Sequence, residues 1–266
     1  MGSFPRRYFC LLFSACRDDH EGGARRSWYI PRECGFRVFL YSKKNKVVNH
    51  LDMALPLQDS PSLIIRQRRE LAELFGFETR NKYSIELESG ESIGFAAEQQ
   101  KGILGFILRQ LLGHWRRFHF TIFDREKNPV LHAVHPFRFF FQRMELYTRD
   151  PAQAGSEKLG AIQQRFAIFS KKFDLEDPSG KVILYVRSPF FRIWNFPVYS
   201  IQAGQDQEVA RISKKWGGLL REAFTDADQF KIEFLDPTLS PEQRILLLAA
   251  GLFVDLQYFE RKAGRA

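Results

Sequence analysis

The sequence predicts a mainly β fold, in which a single antiparallel sandwich or barrel holds one apolar helix. Three observations predict it. About ten to twelve segments with strand character, separated by short polar turns, follow one another between residues 82 and 235. Phe is frequent, at 27 of 266 residues, and dense aromatic residues suit half-buried strands as well as membrane-facing surfaces. Near the C-terminus, residues 245–256 are apolar on every face of a helix until Asp255 interrupts them.

The strands are recognised by alternation and by the turns between them. "RFHFTIFD" alternates Phe118, Phe120 and Ile122 with polar residues and meets the turn "REKNP" before "VLHAVHPF". Residues 89–91 form a hairpin signal between "KYSIEL" and "SIGFAAEQ". Further strands are expected at "RFFFQRMELY", "LGAIQQRFAIFSKKFDLED", "KVILYVRSP", "FPVYSIQA", "EVARISKKW" and "FKIEFL". Short helices are expected at residues 66–75 and 102–113.

The apolar run near the C-terminus predicts a buried core helix. Spanning a bilayer takes about 20 apolar residues, and this run is shorter. Its start is well marked, because Ser240 can cap the helix, Pro241 suits the first turn and Glu242 favours its positive end. A closed sheet of about twelve strands leaves an interior too wide for its own side chains to fill. We therefore expect a central helix over about residues 241–259, inside the sheet.

Charge and cysteine content exclude several classes of protein. The net charge is +9, but residues 1–52 hold ten Lys/Arg against five Asp/Glu, which leaves +4 for the remaining residues. This mildly basic remainder suits an anionic membrane surface and gives little support to nucleic-acid binding, so no nucleic-acid partner is expected. Cys10, Cys16 and Cys34 all precede residue 52, so the rest of the chain can form no internal disulfide and no Cys-ligated zinc site.

The periodic pattern also predicts the domain organisation. Residues 1–58 show no convincing helix or strand period and are expected to form a poorly ordered N-terminal extension. Residues 59–262 are expected to form one β-barrel domain, and residues 263–266 a tail. His132 and His135 lie three apart in one predicted strand, so they should face opposite sides and act as structural residues rather than metal ligands.

Four stretches resemble the phospholipid scramblase family, in family order and spacing over roughly residues 62–262. They are "RQRRELAELFGFETRNKYSI", "FAAEQ", "ISKKWGGLLREAFTDADQFKIEF" and "LLLAAGLFVDLQYFE". The resemblance implies a tubby-like fold, a closed antiparallel barrel of twelve strands around a hydrophobic C-terminal helix. It also implies calcium-dependent, ATP-independent movement of phospholipids between leaflets. Mammalian members carry palmitoylated cysteine clusters and a proline-rich N-terminal extension, and this sequence lacks both patterns.

The family's proposed calcium segment corresponds to residues 226–237. Against the oxygen ligands of an EF-hand loop, Asp226 and Asp228 fill positions 1 and 3, but Phe230 stands at position 5 and Pro237 at position 12. The candidate ligands are the side chains of Asp226, Asp228 and Asp236 and the backbone carbonyls of Phe230, Ile232 and Phe234. Because the segment alternates like a strand, those carbonyls are expected to be paired in a sheet. A turn running into a strand is the favoured interpretation, and weak, partner-assisted calcium binding stays open.

Residues 102–118 provide candidates for membrane contact. Phe106 and Ile107 belong to an apolar helical pattern that is followed by Trp115, Arg116 and Arg117. An apolar face beside an interfacial Trp and basic residues is typical of a helix that inserts into a membrane surface. A helix that closes one end of the barrel would show the same pattern. The similar stretch "SPFFRIWNFP", residues 188–197, is interpreted as core.

Two functions compete at this stage. The resemblance implies a membrane-associated scramblase-family protein that moves or binds phospholipid, is modulated by calcium, and has its main domain on the cytoplasmic side. The alternative is a soluble tubby-like module that binds anionic headgroups or an unidentified protein partner without moving lipid. No Ser/His/Asp or Cys/His order, phosphate-binding Gly loop or motif-placed carboxylate pair is found, so the chain is not expected to be an enzyme.

Overall fold

The computed structural model describes residues 55–68, 82–99, 118–192, 194–201, 206–215 and 229–258. These residues form twelve strands and one helix, and all lie within one compact unit of residues 43–266. The elements are β1 (Ser62–Gln67), β2 (Lys82–Leu87), β3 (Ser92–Gln99), β4 (Phe118–Phe123), β5 (Pro129–His135), β6 (Arg143–Tyr147), β7 (Lys158–Arg165), β8 (Ser170–Glu176), β9 (Val182–Pro189), β10 (Asn195–Ser200), β11 (Gln207–Lys215), β12 (Gln229–Phe234) and α1 (Pro241–Tyr258).

The twelve strands close into one antiparallel barrel. Each strand pairs with its neighbours in sequence, and β12 closes the barrel against β1 with Ile232 opposite Leu63. Closure leaves no free sheet edge among the described strands, so the ladder satisfies their backbone groups. The prediction of a mainly β, closed antiparallel barrel with a C-terminal helix is therefore confirmed.

Some predicted element bounds are wrong. Arg66 and Gln67, the first two residues of a predicted helix, end strand β1, Arg68 donates its backbone N–H to the Lys82 carbonyl, and residues 69–75 lie outside the described residues. The predicted helix at residues 102–113 lies outside them as well. The long predicted strand over residues 159–177 is two strands, β7 and β8, separated by a turn. Residues 138–142, predicted as the first half of a strand, form a loop before β6.

The core consists of inward-facing strand residues packed around α1. In β12, Phe230, Ile232 and Phe234 are buried and alternate with residues that are only partly buried. The ring of Phe253 on α1 meets that of Phe173 on β8 edge to face, with 5.8 Å between centroids. Every described side chain of α1 from Arg244 to Gln257 is buried. The predicted position of the helix inside the barrel is thus confirmed, because its apolar surface is covered on all sides.

The start of α1 is fixed by reciprocal capping. The Gln243 backbone N–H donates to Ser240 Oγ at 3.3 Å, and the Ser240 backbone N–H donates to Gln243 Oε1 at 2.8 Å. One turn later, the buried Arg244 donates through Nη1 to the carbonyls of Leu57 and Ser60, each at 2.8 Å. These bonds tie the segment before β1 to the base of the helix.

The core begins earlier than the predicted domain boundary at residue 59. Leu55 and Leu57 are each 1% exposed and belong to the same apolar cluster as the barrel interior. An isolated pair of leucines shows no helix or strand period, so the sequence pattern does not reveal that they belong to the core. Burial against the barrel places them with the folded domain. The rest of the predicted division, including the tail at residues 263–266, stays a prediction.

Candidate functional site

The two ends of the barrel are chemically different. Because successive strands are antiparallel, the connections β1–β2, β3–β4, β5–β6, β7–β8, β9–β10 and β11–β12 share one end, here called the aromatic end. The remaining connections and the start of α1 share the other end, here called the entry end.

Exposed apolar side chains in the described residues are concentrated at the aromatic end. Ten of the twelve large apolar residues that are exposed lie in the β5–β6, β7–β8 and β9–β10 connections. We call these ten the aromatic rim: Phe137, Phe139, Phe140, Phe141, Phe166, Ile168, Phe169, Phe190, Phe191 and Trp194. At the loop tips Phe140 and Phe191 are 78% exposed and Phe169 is 84% exposed. Clusters of this kind on soluble surfaces mark sites that bind protein or membrane.

The three connections of the rim support one another. The rings of Phe141 and Phe166 meet edge to face at 6.2 Å, and the backbone N–H of Phe190 donates to the Phe169 carbonyl at 3.0 Å. Phe141 adopts a left-handed backbone conformation, with φ of 52°, which is unfavourable for a bulky residue. It is held by Gln163, whose Nε2 donates to the Phe141 carbonyl at 3.0 Å. The rim is therefore a supported surface and not a set of independent side chains.

The sequence around the rim is basic. Residues 136–142, 166–173 and 187–197 contain five basic residues and no Asp or Glu: Arg138, Lys171, Lys172, Arg187 and Arg192. Arg138 and Arg192 are exposed among the rim phenylalanines. Lys171 is buried, and its ammonium group lies 4.7 Å from the centroid of the buried Phe196 ring. At the surface, the ammonium group of Lys214 lies 5.6 Å from the ring centroid of the exposed Trp194. A cation beside an exposed aromatic ring suits the headgroup region of a bilayer.

The described connections at the entry end are polar and acidic. Residues 88–91, 124–128, 148–157, 177–181 and 235–240 hold eight acidic residues against four basic ones, Arg125, Lys127, Arg149 and Lys181. The acids are Glu88, Glu91, Asp124, Glu126, Asp150, Glu157, Asp177 and Asp236. The two remaining exposed apolar residues, Ile201 and Leu235, lie at this end. In the described part of the barrel, the excess of acidic residues is therefore at the entry end, and most exposed apolar side chains are at the aromatic end.

The membrane-contact residues predicted from the sequence belong to a connection at the aromatic end. Phe106, Ile107, Trp115, Arg116 and Arg117 lie outside the described residues. The flanking strands fix where their connection begins and ends, because Gln99 at the end of β3 pairs with His119 at the start of β4. Residues 100–117 thus leave and rejoin the barrel at the end that carries the aromatic rim.

The described residues among the predicted calcium ligands lie along one extended strand and just beyond its end. Phe230 and Ile232 face the core, and their strand lies between β1 and β11, where its backbone takes part in the ladder. Six extended residues span about 20 Å, whereas calcium ligands lie within about 2.6 Å of the ion. Asp236, beyond the end of β12, is therefore too far from Gln229 at the start of the strand to share an ion with that end of it. The predicted strand is confirmed, and calcium binding by Asp226 and Asp228 stays a prediction.

Asp236 has a structural role at the entry end. Its Oδ1 accepts hydrogen bonds from Thr238 Oγ1 at 2.6 Å and from the Thr238 backbone N–H at 2.8 Å. The hydrogen bond from the Thr238 hydroxyl, and to a smaller extent that from its N–H, lowers the pKa of Asp236.

Asp226 and Asp228 lie outside the described residues, in the connection between β11 and β12 at the aromatic end. Within the described ranges, no three His, Cys, Asp or Glu side chains are grouped as a metal site.

One buried polar contact was not found from the sequence. The Tyr83 hydroxyl on β2 donates to Asp255 Oδ2 on α1 at 2.6 Å, inside the barrel. The interruption of the apolar run by Asp255 is the signal, but its partner is 172 residues away in the chain. The two histidines face opposite sides of β5, as predicted: His135 is buried and His132 is partly buried. Burial lowers the pKa of His132, against a smaller effect of Asp150.

Sequence interpretation also missed most of the aromatic rim. The stretch at residues 188–197 was interpreted as core, and for Phe196 this is right. Phe190, Phe191 and Trp194 are instead exposed. The loop "PFRFFFQ" was interpreted partly as strand, because Phe favours strands. Its run of three adjacent phenylalanines, without alternation, is the signal that could have indicated a loop.

A closed antiparallel barrel around a buried helix, with exposed aromatic and basic residues at one end, defines the structural class of this protein. Comparison with known proteins narrows the class. A family model described as Scramblase matches residues 41–261. The chain is 32% identical over 216 residues to human phospholipid scramblase 2, a match covering 75% of this chain and 67% of the relative. The chain belongs to the scramblase family.

Two further relatives extend this comparison. Mouse phospholipid scramblase 1 is 31% identical over 211 residues, covering 75% of this chain and 61% of the relative. A phospholipid scramblase family protein of Schizosaccharomyces pombe is 24% identical over 248 residues, covering 79% of this chain and 62% of the relative. The matched part of the chain thus spans less than two thirds of the length of these two relatives.

Proposed function

We propose that this protein binds phospholipid bilayers and mediates ATP-independent movement of phospholipids between leaflets, with a preference for anionic headgroups. The observation that carries the proposal is the basic aromatic rim at one end of the barrel. Family membership supplies the substrate class, because the relatives are named phospholipid scramblases. The main domain is proposed to work on the cytoplasmic side of the membrane.

The chemistry of the rim supports lipid movement by a passive route. Exposed aromatic rings enter the boundary between headgroups and acyl chains to a depth of about 5–10 Å. Rings at that depth separate neighbouring headgroups, and adjacent guanidinium and ammonium groups neutralise lipid phosphates. Both effects lower the free energy of a headgroup that leaves the surface. No helix in the part of the chain that the structure describes is long and apolar enough to cross a membrane.

Calcium enters the proposal as a modulator. Asp226 and Asp228 are the remaining acidic candidates, and they belong to a connection at the aromatic end. A pair of carboxylates offers fewer oxygens than the six to eight that calcium prefers. Calcium would therefore bind weakly and would draw additional oxygen ligands from lipid phosphates. Its effect should appear only with anionic vesicles.

Reconstitution of the full chain into vesicles that carry a labelled lipid in both leaflets tests the proposal. A membrane-impermeant quencher should remove only the outer-leaflet signal from empty vesicles and nearly all the signal once the protein is present. The experiment is run without ATP, with calcium and with a chelator. Quenching that stays at the outer-leaflet level in every condition would exclude transport by this chain alone.

A second candidate is lipid binding without transport. It is favoured by α1, whose described side chains from Arg244 to Gln257 are buried and fill the barrel interior. A filled interior leaves the outer rim as the lipid-contacting surface among the described residues. Vesicle binding without leaflet exchange in the same reconstitution would select this candidate.

A further inference from the structure

We propose that the barrel docks end-on onto an anionic bilayer, with the loop tips Phe140, Phe169 and Phe191 inserted and the entry end directed away from the membrane. The inference rests on the proposed function and deepens it, because it assigns the docking surface and the orientation. It also adds three described loops to residues 102–118 as candidates for membrane contact.

The first argument is geometric. The β5–β6, β7–β8 and β9–β10 connections each present a phenylalanine that is at least 78% exposed. They emerge from the same barrel end, so their tips face the same side of the molecule. Contacts between the loops, such as that of Phe141 with Phe166, hold the tips in relation to one another. Several separate rings exposed at one barrel end suit a broad apolar surface such as a bilayer.

The second argument is electrostatic. Arg138 lies beside Phe139 and Phe140, and Arg192 follows Phe191, so exposed guanidinium groups lie next to the inserting rings. The surrounding loop sequences contain no acidic residue. Each basic side chain near an anionic leaflet strengthens binding by about 1 kcal/mol, which is about fivefold in affinity. An anionic bilayer complements both properties of this end, since it offers phosphate and carboxylate at the surface and hydrocarbon below.

The third argument concerns orientation. The entry end carries the excess of acidic residues, so an anionic surface repels it. Ile201 and Leu235 are exposed there, 55% and 48%, but they stand among acids such as Asp236 and Asp206. Exposed apolar area alone therefore does not make this end a docking surface. These two residues provide a matched control for the rim.

Sedimentation of the full chain with vesicles tests the inference. The probes are vesicles of phosphatidylcholine alone and of phosphatidylcholine with a minor fraction of phosphatidylserine. The test variant is the triple change Phe140→Ser, Phe169→Ser and Phe191→Ser, and the control is Ile201→Ser with Leu235→Ser. All changes are at exposed positions, and circular dichroism with thermal unfolding confirms that each variant folds.

We expect the unmodified chain to bind the anionic vesicles and to bind neutral ones more weakly. The triple variant should lose affinity by at least about tenfold, because three apolar rings no longer enter the bilayer. The control variant should stay within about twofold of the unmodified chain, since its positions face away from the membrane. The double change Arg138→Gln and Arg192→Gln should weaken anionic binding and reduce its dependence on salt.

Several results would overturn the inference. Equal losses in the rim and control variants would show that the contact is not confined to one end. If the triple variant bound vesicles as tightly as the unmodified chain, the rim would not be the surface that contacts the bilayer. If the unmodified chain failed to bind vesicles and formed a dimer that the triple change dissociated, the rim would be an interface between copies. Depth-dependent quenching of Trp194 by brominated lipids, with the other tryptophans changed to Phe, reports insertion directly.

The proposed function and this inference fail in different ways. Leaflet exchange that persists in the triple variant would leave the function intact and exclude the rim as its contact. Rim-dependent vesicle binding without leaflet exchange would support end-on docking and reject lipid movement by the chain alone.

Discussion

Phe230 is the residue that best distinguishes a calcium site from a turn that runs into a strand. Its side chain is fully buried at the start of β12. Phe230→Ala should therefore lower the free energy of unfolding by about 3–5 kcal/mol, with or without calcium.

The comparison variant is Asp226→Asn with Asp228→Asn, which keeps the size and the turn-forming capacity of both residues. It should leave stability nearly unchanged and weaken whatever calcium binding exists. Calorimetry showing tight calcium binding that the Asn pair abolishes would contradict the turn interpretation.

Tyr83 gives a second residue-level prediction. Its hydroxyl donates to Asp255 at 2.6 Å within the core, joining β2 to the last turns of α1. Tyr83→Phe removes one donor from a buried carboxyl group and should cost about 1–3 kcal/mol in chemical denaturation. The control is Tyr147→Phe, because the Tyr147 hydroxyl donates at 3.0 Å to Glu145 in a partly buried surface network. If both changes lowered the free energy of unfolding equally, the buried hydrogen bond would contribute no more to stability than the partly buried one.

At the level of elements, α1 fits the barrel through a close approach at Gly251. A Cβ atom there would lie 2.8 Å from Ile65 Cδ1 and 3.0 Å from Ile232 Cδ1. Gly251→Ala gains up to about 1 kcal/mol of helix propensity but displaces those methyl groups, so a net change within about 1 kcal/mol is expected. Gly251→Leu adds volume that the neighbours cannot absorb and should cost about 1–3 kcal/mol or more.

The Ile65 methyl group offers a direct check on this explanation. Ile65→Val deletes the Cδ1 atom nearest to the added Cβ. Gly251→Ala should therefore be more favourable in the Ile65→Val background than alone, as a coupling in a double-mutant cycle. Additive effects on the midpoint of denaturation would show that crowding by Ile65 does not limit this position.

The sequence predicted those elements in which pattern and burial agree. Alternation in β4 and β12 follows their inward-facing residues, and the capping signals at Ser240 and Pro241 mark the first turn of α1. Strand β1 was not recognised, because "SLIIRQ" places Leu63, Ile64 and Ile65 in a row without alternation. All three are buried, so the period of two is lost from the apolar pattern.

The candidate site was harder to predict than the fold, for a related reason. Phe196 and Phe191 are the same residue type in one short stretch, yet the first is buried and the second is 78% exposed. Residue type reports apolar character but not the direction of a loop side chain. The shared barrel end of three separate loops follows only from the closed strand order. EF-hand numbering does not suit Phe230, Ile232 and Phe234, because these residues form an extended strand and not a loop.

At the scale of the whole barrel, the helix and the rim define one axis. α1 begins at the entry end, where Arg244 holds the segment before β1, and its Asp255 bonds to Tyr83 near the start of β2. The helix therefore runs through the barrel toward the aromatic end. Because the side chains of α1 from Arg244 to Gln257 are buried along the way, most exposed apolar side chains of the described barrel are on the loops at that end.

Truncation from the N-terminus tests where the folded unit begins. All periodic pattern follows Met53, and the apolar core begins at Leu55. A chain that starts at Met53 should therefore have a melting temperature within a few degrees of that of the full-length protein.

A chain that starts at Asp59 loses Leu55, Leu57 and the Leu57 carbonyl to which Arg244 donates. Each lost leucine should cost about 2–5 kcal/mol, so thermal unfolding of the shorter chain should shift down markedly or lose cooperativity. Equal melting temperatures for the two truncated chains would show that residues 55–58 do not stabilise the barrel, and a large drop for the Met53 chain would move the boundary toward the N-terminus.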